Sequence, residues 1–521
     1  MQGRCVHISS SARLPNLNAI TCGYQNGSLL IAQATPAAVT HTFTNYSPNT
    51  SLPISTHSPL NNDALDTLIS DSRKAFKLFS KLPPPARGLI LETASKLVRN
   101  KYASELAHLT ATDAGIPLNQ ALSGHVEAAA ETLEYWGNLA TQNKTNIGRD
   151  ISPGVHTTLN PIGVVCGIGA WNYPATVLVN KLAPALATGN VFIEKPSEHA
   201  PLVSLKMCEI MTEAGLPPNV FNCVLGHGAN CVGEYLTSHP GVDKISLTGS
   251  TRAGISVIKS GASTLKRTTM ELGGKSPLVI FDDVDLDNAV NVTLAANFYN
   301  NGQVCSNATR LIVHEKIVDA FCSRLVEKVG RLKVGGAMEQ KTHIGPMINE
   351  AHYRRVAGMI EVAKGESGLE LLCGGGGGQG GEGGWFIEPT VFRVVGEGKA
   401  VTRIEKEEVF GPCLTVRSFK EEGGGVGGVA DWCNDSEFGL GAGIVCRDER
   451  KARELADELE CGNVWINNYN CVSSDMCFGG VKGSGWGREG GLECIACYTY
   501  AKCVYVEGGG EGAVVDDPFW N

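Results

Sequence analysis

The 521-residue chain has no run of about eighteen apolar residues, so its sequence predicts no membrane-spanning helix. Basic residues are also not in excess, since 44 Lys and Arg stand against 53 Asp and Glu, a formal net charge of −9. A nucleic-acid partner needs a basic surface, so none is expected. The sequence has no secretory signal pattern, and its eighteen cysteines are not spaced like zinc ligands. This favours free thiols in a reducing compartment and no metal site.

Residues 1–44 lack Asp and Glu entirely and carry Arg4 and Arg13. That composition is typical of a mitochondrial transit peptide, although Pro15 would interrupt an amphipathic helix. We therefore predict a cytoplasmic protein with an N-terminal extension over 1–44, and keep a mitochondrial location as the alternative.

Gly-x-Gly-x-x-Gly, the usual dinucleotide fingerprint, is absent from residues 163–278. Short apolar runs nevertheless alternate there with helical stretches, which predicts βαβ units around a buried parallel sheet. Gly249 and Ser250 follow one such run at a predicted helix start, where backbone amides can hold a pyrophosphate. Residues 61–140 show helical periodicity, and a second α/β region follows from Ser276.

Two motifs carry reactive side chains. Cys305 lies in the sequence Gly-Gln-Val-Cys-Ser, and Glu271 lies 34 residues upstream in Met-Glu-Leu-Gly-Gly-Lys. A thiolate is a strong nucleophile, and a carboxylate beside it can deprotonate the water that hydrolyses a thioester. The pair therefore indicates covalent catalysis through cysteine.

Three further motifs flank this pair. Ala-Trp-Asn-Tyr-Pro precedes it at 170–174, and Glu-Val-Phe-Gly-Pro at 408–412 and a glycine-rich segment at 478–489 follow it. In this order they resemble the NAD(P)-dependent aldehyde dehydrogenase superfamily, from about residue 45 to about residue 505. The resemblance implies an α/β fold with a Rossmann-type NAD-binding domain (45–140 and 162–273), a catalytic domain (274–478) and a small β oligomerisation element (141–161 and 491–507).

The resemblance also implies a mechanism. The Cys305 thiolate attacks an aldehyde, the Asn172 amide and the Cys305 backbone N–H hold the oxyanion, and hydride passes to the nicotinamide. Glu271 then activates water to hydrolyse the thioester. Lys181 and Glu489 match positions assigned to a proton path behind this glutamate, and simple ion pairing is an equally good account of both.

For the cofactor, the resemblance implies NAD. Lys195 and Glu198 would bind the adenosine ribose, and an acid at Glu198 accepts from a free 2′-hydroxyl but repels a 2′-phosphate. The predicted cofactor-binding residues are Ile168, Ala170, Trp171, Lys195, Ser197, Glu198, Gly228, Gly249, Ser250, Leu272, Glu408 and Phe410.

The wording of the motifs is most similar to the betaine aldehyde and 4-trimethylaminobutyraldehyde dehydrogenase branch. Tyr173, Tyr299 and Phe478 would supply an aromatic cage for a cationic substrate, and Asp113 a negative charge near the pocket mouth. Asn180 stands where that branch has a tryptophan. Ordinary aliphatic or aromatic aldehydes, and a non-catalytic structural member of the fold, are therefore kept as alternatives, and core packing is an equal account of the aromatic residues.

Two other features concern assembly and loops. Residues 499–506 alternate in a way that suits an exposed strand adding to a partner's sheet, so a homodimer or homotetramer is expected. The glycine-rich tracts 373–384 and 421–428 are interpreted as loop expansions.

Overall fold

The structure is a computed structural model, and it describes residues 24–25, 28–29, 42–146, 148–152, 154–379, 383–395, 402–421 and 426–506. Most of the predicted N-terminal extension, residues 380–382 and 422–425 of the glycine-rich tracts, and residue 507 lie outside the described residues.

The α-helices of the described ranges are α1 Asn62–Phe79, α2 Pro84–Leu97, α3 Ala103–Ala114, α4 Leu118–Gln120, α5 Glu127–Thr141, α6 Pro174–Ala187, α7 Leu202–Glu213, α8 Val232–Ser238, α9 Thr251–Gly261, α10 Leu286–Asn297, α11 Val318–Val329, α12 Glu350–Lys364, α13 Arg403–Lys406, α14 Gly427–Asn434, α15 Glu449–Glu458 and α16 Ile495–Tyr498. Val98–Tyr102 and Ala121–Val126 are π-helical, and Ala262–Thr264, Tyr299–Gly302 and Leu492–Cys494 are 3₁₀-helical.

The β-strands are β1 Tyr24–Gln25, β2 Ser28–Leu29, β3 Phe43–Tyr46, β4 Pro53–His57, β5 Arg149–Ser152, β6 Val155–Pro161, β7 Val164–Ile168, β8 Val191–Lys195, β9 Phe221–Cys223, β10 Lys244–Thr248, β11 Arg267–Glu271, β12 Ser276–Ile280, β13 Ala308–His314, β14 Leu369–Cys373, β15 Gly377–Gln379, β16 Trp385–Ile387, β17 Thr390–Val394, β18 Cys413–Phe419, β19 Phe438–Gly439, β20 Gly441–Val445, β21 Asn463–Ile466, β22 Val481–Lys482, β23 Gly485–Trp486 and β24 Thr499–Tyr505.

The first large sheet has the strand order β2-β1-β9-β8-β7-β10-β11-β23. Its centre, from β9 to β11, is parallel, and β23 closes one edge in the antiparallel sense. Every residue of β8 is buried, because helices cover both faces of such a sheet. The predicted Rossmann-type architecture is confirmed.

The second large sheet has the order β14-β17-β18-β13-β12-β20-β21 and is parallel except for β14. Leu278 and Ile280 of β12 face one core cluster with Phe321 of α11, whereas Val279 faces another with Leu455 of α15. Both faces of β12 are therefore buried, which explains why its sequence is apolar throughout.

A small antiparallel sheet, β24-β6-β5, stands apart from these two. β24 pairs with β6 from Thr499↔Pro161 to Tyr505↔Val155. All residues of β24 after Thr499 are exposed. Among the described residues, none of the helices combines the length and apolar composition needed to cross a bilayer.

Candidate active site

Cys305 follows a sharp turn that ends α10. Asn300 and Asn301 have φ angles of 56° and 60°, in the left-handed region that asparagine tolerates better than most residues. Gly302 has a φ of 71°, and a Cβ there would lie 2.3 Å from the backbone carbon of Gly411. Only glycine lets the nucleophile segment approach the Glu-Val-Phe-Gly-Pro segment this closely.

Glu271 is the last residue of β11 and is 4% exposed. Neither of its carboxylate oxygens has a hydrogen-bond partner among the described residues. A Cβ at Gly274 would lie 2.4 Å from the Cys305 carbonyl oxygen, and one at Gly479 would lie 2.7 Å from Glu271 Oε1. Glycines at both positions therefore allow three motifs that are distant in sequence to meet around Cys305 and Glu271.

Burial controls the protonation of both groups. Burial first, and then the Glu271 and Glu408 carboxylates, together raise the pKa of the Cys305 thiol to about 12. Burial also raises the pKa of Glu271 well above its usual range, with Glu489 adding to the shift and Lys181 opposing it. Burial therefore favours the neutral form of both groups.

Asn172 lies against the nucleophile turn and is 3% exposed. Its Nδ2 donates to the Gln303 carbonyl at 3.0 Å, and its own carbonyl accepts from Asn300 Nδ2 at 3.0 Å. The turn thus fixes the Asn172 amide next to the cysteine loop.

Lys181 and Glu489 form a buried ion pair behind Glu271. Lys181 Nζ lies 2.6 Å from Glu489 Oε1, and it also donates to Thr248 Oγ1 at 2.5 Å. Lys181 is fully buried, so the contact is not a surface ion pair. It places one positive charge within electrostatic reach of Glu271.

The predicted ribose-binding residues lie where β8 ends. Lys195 Nζ donates to the Pro196 carbonyl at 2.9 Å and to Glu198 Oε2 at 3.3 Å. Although burial opposes ionisation, the Lys195 charge and a backbone hydrogen bond hold the pKa of Glu198 at about 2. The Ser197 hydroxyl accepts from the His199 amide at 3.3 Å. Glu198 is therefore an ionised acceptor at neutral pH.

The predicted pyrophosphate site lies between β10 and α9. Ser250 caps α9 by accepting from the Ala253 amide at 3.2 Å, and the Gly249 amide donates to the Glu271 carbonyl at 3.0 Å. The Leu272 side chain fills the space left by Gly254, where a Cβ would lie 2.8 Å from it. These contacts place the start of α9 over the strand end that carries Glu271.

Aromatic groups from both large sheets meet across the same cleft. The rings of Trp171 and Phe410 have centroids 5.3 Å apart in an edge-to-face arrangement. His352 Nε2 contacts the Phe410 carbonyl at 2.8 Å, and the Glu408 carboxylate accepts from the Gly274 amide at 3.0 Å. Ile168 ends β7, and Ala170 lies half-buried in the loop after it.

These residues fit a dinucleotide. Glu198 can accept from ribose hydroxyls, the start of α9 presents amides to phosphate, and Gly228 is exposed with no atom within 4 Å of where its Cβ would be. A flat ring can therefore approach the backbone at Gly228. The ionised Glu198 suits a free 2′-hydroxyl rather than a phosphate.

Tyr173 and Tyr299 lie beside the nucleophile. Burial raises the pKa of Tyr173 well above its usual range, and Tyr299 and Cys305 are close enough to contribute. The Tyr299 hydroxyl donates to the Gln120 carbonyl at 3.4 Å. Phe478 is half-buried and exchanges backbone hydrogen bonds of 2.7 and 2.8 Å with Glu489.

Asp113 does not have the position predicted for it. It is fully buried, and its carboxylate accepts from the Leu202 amide at the start of α7, at 2.8 Å, and from the Asn45 side chain. Burial raises the pKa of Asp113 to about 7, against the effect of these hydrogen bonds. The expected charge at a pocket mouth is corrected to a buried contact that stabilises α7.

Several residues of this site were not predicted from the sequence. Asn300 and Gln303 lie within a motif that was recognised, so their position signalled a role. Thr248, His125, His352 and Glu194 carried no local signal, because their importance comes from contacts with residues more than fifty positions away or from burial alone.

Comparison with known proteins identifies the family. Residues 35–504 match the model of the aldehyde dehydrogenase family, and the chain belongs to this family. It is 41% identical over 450 residues to a betaine aldehyde dehydrogenase of Mesorhizobium japonicum, covering 86% of this chain and 90% of that protein. It is 42% identical over 445 residues to betaine aldehyde dehydrogenase 2 of Rhizobium meliloti, covering 85% and 89%.

Solved structures show the same fold. A betaine aldehyde dehydrogenase of Staphylococcus aureus in complex with NAD+ superposes with a TM-score of 0.85 at 31% identity, covering 92% of this chain and 95% of that one. An NAD+ complex of an aldehyde dehydrogenase from Bacillus cereus superposes with a TM-score of 0.84 at 33% identity, covering 89% and 93%.

Proposed function

We propose that this protein is an NAD-dependent aldehyde dehydrogenase that oxidises an amino- or trimethylammonium-aldehyde to the carboxylic acid through a covalent intermediate on Cys305. The observation that carries the proposal is the meeting of Cys305, the Asn172 amide and the Glu271 carboxyl between two sheets. The Glu271 carboxyl is buried and has no hydrogen-bond partner in the part of the chain that the structure describes.

The protein's own residues account for each step. The ionised form of Glu271 takes the proton of the Cys305 thiol, and the thiolate forms a bond to the aldehyde carbon. The resulting oxyanion is held by the Asn172 Nδ2 and the Cys305 backbone N–H. NAD held in the cleft would supply the hydride acceptor, and loss of hydride from that carbon would leave a thioester on Cys305. After Glu271 has lost that proton, its carboxylate takes a proton from water and the hydroxide attacks the thioester. Cleavage of the C–S bond then releases the acid and regenerates the Cys305 thiolate.

The cofactor would be held by the residues lining the cleft. Glu198 and Lys195 would take the adenosine ribose, the start of α9 the phosphates, and Glu408 the second ribose. The buried pair Lys181–Glu489 would give the Glu271 proton a route away from the active site, since Lys181 contacts Glu489 and acts electrostatically on Glu271.

Two observations bear on the aldehyde. The similar betaine aldehyde dehydrogenases and the tyrosine faces of Tyr173 and Tyr299 favour a cationic substrate. Asn180 favours the second candidate, an uncharged aliphatic or aromatic aldehyde. Its Oδ1 lies 3.5 Å from the Thr132 hydroxyl, which also contacts Ser474. This polar group occupies the position at which an aromatic side chain would complete a cage.

The test is NADH formation with betaine aldehyde, 4-trimethylaminobutyraldehyde, 4-aminobutyraldehyde, hexanal and benzaldehyde. Selective turnover of the three cationic aldehydes is expected, and Cys305→Ala should abolish it, whereas Cys461→Ala should leave it unchanged. Preferred turnover of hexanal or benzaldehyde would support the second candidate. Turnover that survives Cys305→Ala would contradict the mechanism.

Assembly and location complete the proposal. We assign the NAD-binding domain to 45–140 with 162–273, and the catalytic domain to 274–478. We assign the β24-β6-β5 sheet to the contact in a homodimer or homotetramer, because Tyr500, Val504 and Tyr505 are exposed on it. We place the protein in the cytoplasm, with the mitochondrion as the alternative, because the free cysteines of the described residues suit a reducing compartment.

A further inference from the structure

The segment from Gln120 to His125 touches both tyrosines of the site and the nucleophile turn. Gln120 Oε1 accepts from the Asn300 amide at 2.8 Å, and a Cβ at Gly124 would lie 2.0 Å from the Tyr299 hydroxyl. Residues 121–126 of this segment are π-helical, a geometry that recurs at functional sites because it re-aims side chains. The last of its contacts is made by His125.

His125 is fully buried, and its ring makes two different contacts. Its ring stacks on Tyr173 with centroids 4.3 Å apart and planes inclined by 14°. Its Nε2 lies 3.0 Å from Asn300 Oδ1. One imidazole therefore joins a wall of the aldehyde pocket to the turn that presents Cys305.

The direction of this hydrogen bond follows from Asn300. Asn300 Nδ2 already donates to the carbonyls of Asn172 at 3.0 Å and Gln303 at 3.3 Å, so Oδ1 can only accept. His125 must then donate from Nε2, with Nδ1 bare. Burial lowers the pKa of His125 to about 4, against the effect of the Asn300 hydrogen bond, so the ring is neutral and does not act as a base at neutral pH.

We propose that His125 is a positioning residue with two separable tasks: its Nε2–H fixes Asn300, and through it Asn172 and the oxyanion site, while its ring fixes the face of Tyr173 toward the aldehyde. This inference rests on the proposed function, because His125 would orient groups of the oxyanion site and of the aldehyde pocket proposed above.

The two tasks are separated by substitution. His125→Phe keeps a flat ring against Tyr173 but has no donor, His125→Gln keeps an N–H donor without the ring, and His125→Leu keeps neither. Acylation of Cys305 by p-nitrophenyl acetate isolates the first task, since it needs the oxyanion site but neither NAD nor the aldehyde. The thiolate attacks the ester carbon, the tetrahedral oxyanion collapses, and p-nitrophenolate leaves.

We expect His125→Phe to slow the Cys305-dependent release of p-nitrophenolate by about tenfold to a hundredfold, because small displacements of a catalytic group have effects of this size. His125→Gln should keep the rate within about threefold but raise KM for the cationic aldehyde about fivefold, through loss of the ordered tyrosine face. His125→Leu should show both defects.

Three results would overturn the inference. The first is His125→Phe with the wild-type acylation rate. The second is equal loss of acylation in His125→Phe and His125→Gln with equal loss of thermal stability, which is what a purely structural role produces. The third is a full further effect of His125→Phe in an Asn172→Ala background, because a residue that acts through Asn172 should add less than about twofold there.

Failure of the proposed function would look different. If the wild-type protein acylates normally but forms no NADH from any aldehyde, the function is wrong, and the acylation results for His125 still decide the first task. If His125→Phe does not fold, the KM of His125→Gln decides the second, and an unchanged KM contradicts it.

Discussion

Cys305 is half-buried beside the Glu271 and Glu408 carboxylates, and the raised pKa of its thiol keeps it protonated at neutral pH. We therefore expect its alkylation by iodoacetamide in the cofactor-free protein to accelerate about tenfold per pH unit from neutral pH upward, without a plateau below about pH 12. Glu271 in its ionised form raises the pKa of the Cys305 thiol, so the thiol of the Glu271→Gln variant should ionise at lower pH. Peptide mass spectrometry of Cys305 over a pH series measures this, with Glu437→Gln as a control. Identical profiles for wild type and Glu271→Gln would contradict it.

Glu194 on β8 is a second buried carboxylate, 1% exposed, and its Oε2 has no hydrogen-bond partner among the described residues. Burial raises its pKa from 4.5 to about 8, against the nearby Lys181 and Lys195. Since the folded protein binds this proton more tightly than the unfolded chain, the associated stability is complete below about pH 4.5 and is lost as pH rises to about 8.

Glu194→Gln should remove that dependence. We expect the free energy of unfolding of the wild type to fall relative to the variant between pH 5 and about pH 8, and the difference to become constant above that. Denaturant unfolding at a series of pH values measures it, and the exposed Glu437→Gln serves as the matched control. Parallel curves for Glu194→Gln and wild type over this range would show that Glu194 does not carry the proton.

Among the elements, we expect the turn after β8 to set the choice of cofactor. The ionised Glu198 carboxylate repels a 2′-phosphate, so Glu198→Gln should lower KM for NADP and raise KM for NAD, each by about tenfold or less. Steady-state kinetics with both cofactors measures this, and Glu213→Gln at the end of α7 is the control. A variant that uses NADP no better than the wild type does would place the discrimination elsewhere.

The elements also show what periodicity can predict. The helical pattern of 61–140 becomes α1 to α5, as expected, because apolar residues three and four apart share one face. The π-helical residues Ala121–Val126 within it were not predicted. One extra residue per turn does not change composition, and the contacts of Gly124 and His125 with Tyr299 and Tyr173 stabilise it.

For the whole molecule, the exposed face of the β24-β6-β5 sheet is the proposed contact between subunits. Tyr500 and Val504 are 39% and 41% exposed and lie on one face, being four residues apart on a strand. The double substitution Tyr500→Glu with Val504→Glu should convert the oligomer to monomers, measured by light scattering after size exclusion. Leu78→Glu, at an exposed apolar position on α1, should not. An unchanged mass for the double variant would rule out this face.

Residue type at fixed short spacing was enough to predict the order of motifs, the family, the α/β fold and a candidate nucleophile. The environment of these residues became visible only in the folded chain. Folding buried Asp113 under α7, paired Lys181 with Glu489 away from the surface, and brought His125 to Asn300, 175 positions away. Burial and pairing depend on residues remote in the chain, and a linear pattern contains no measure of that distance.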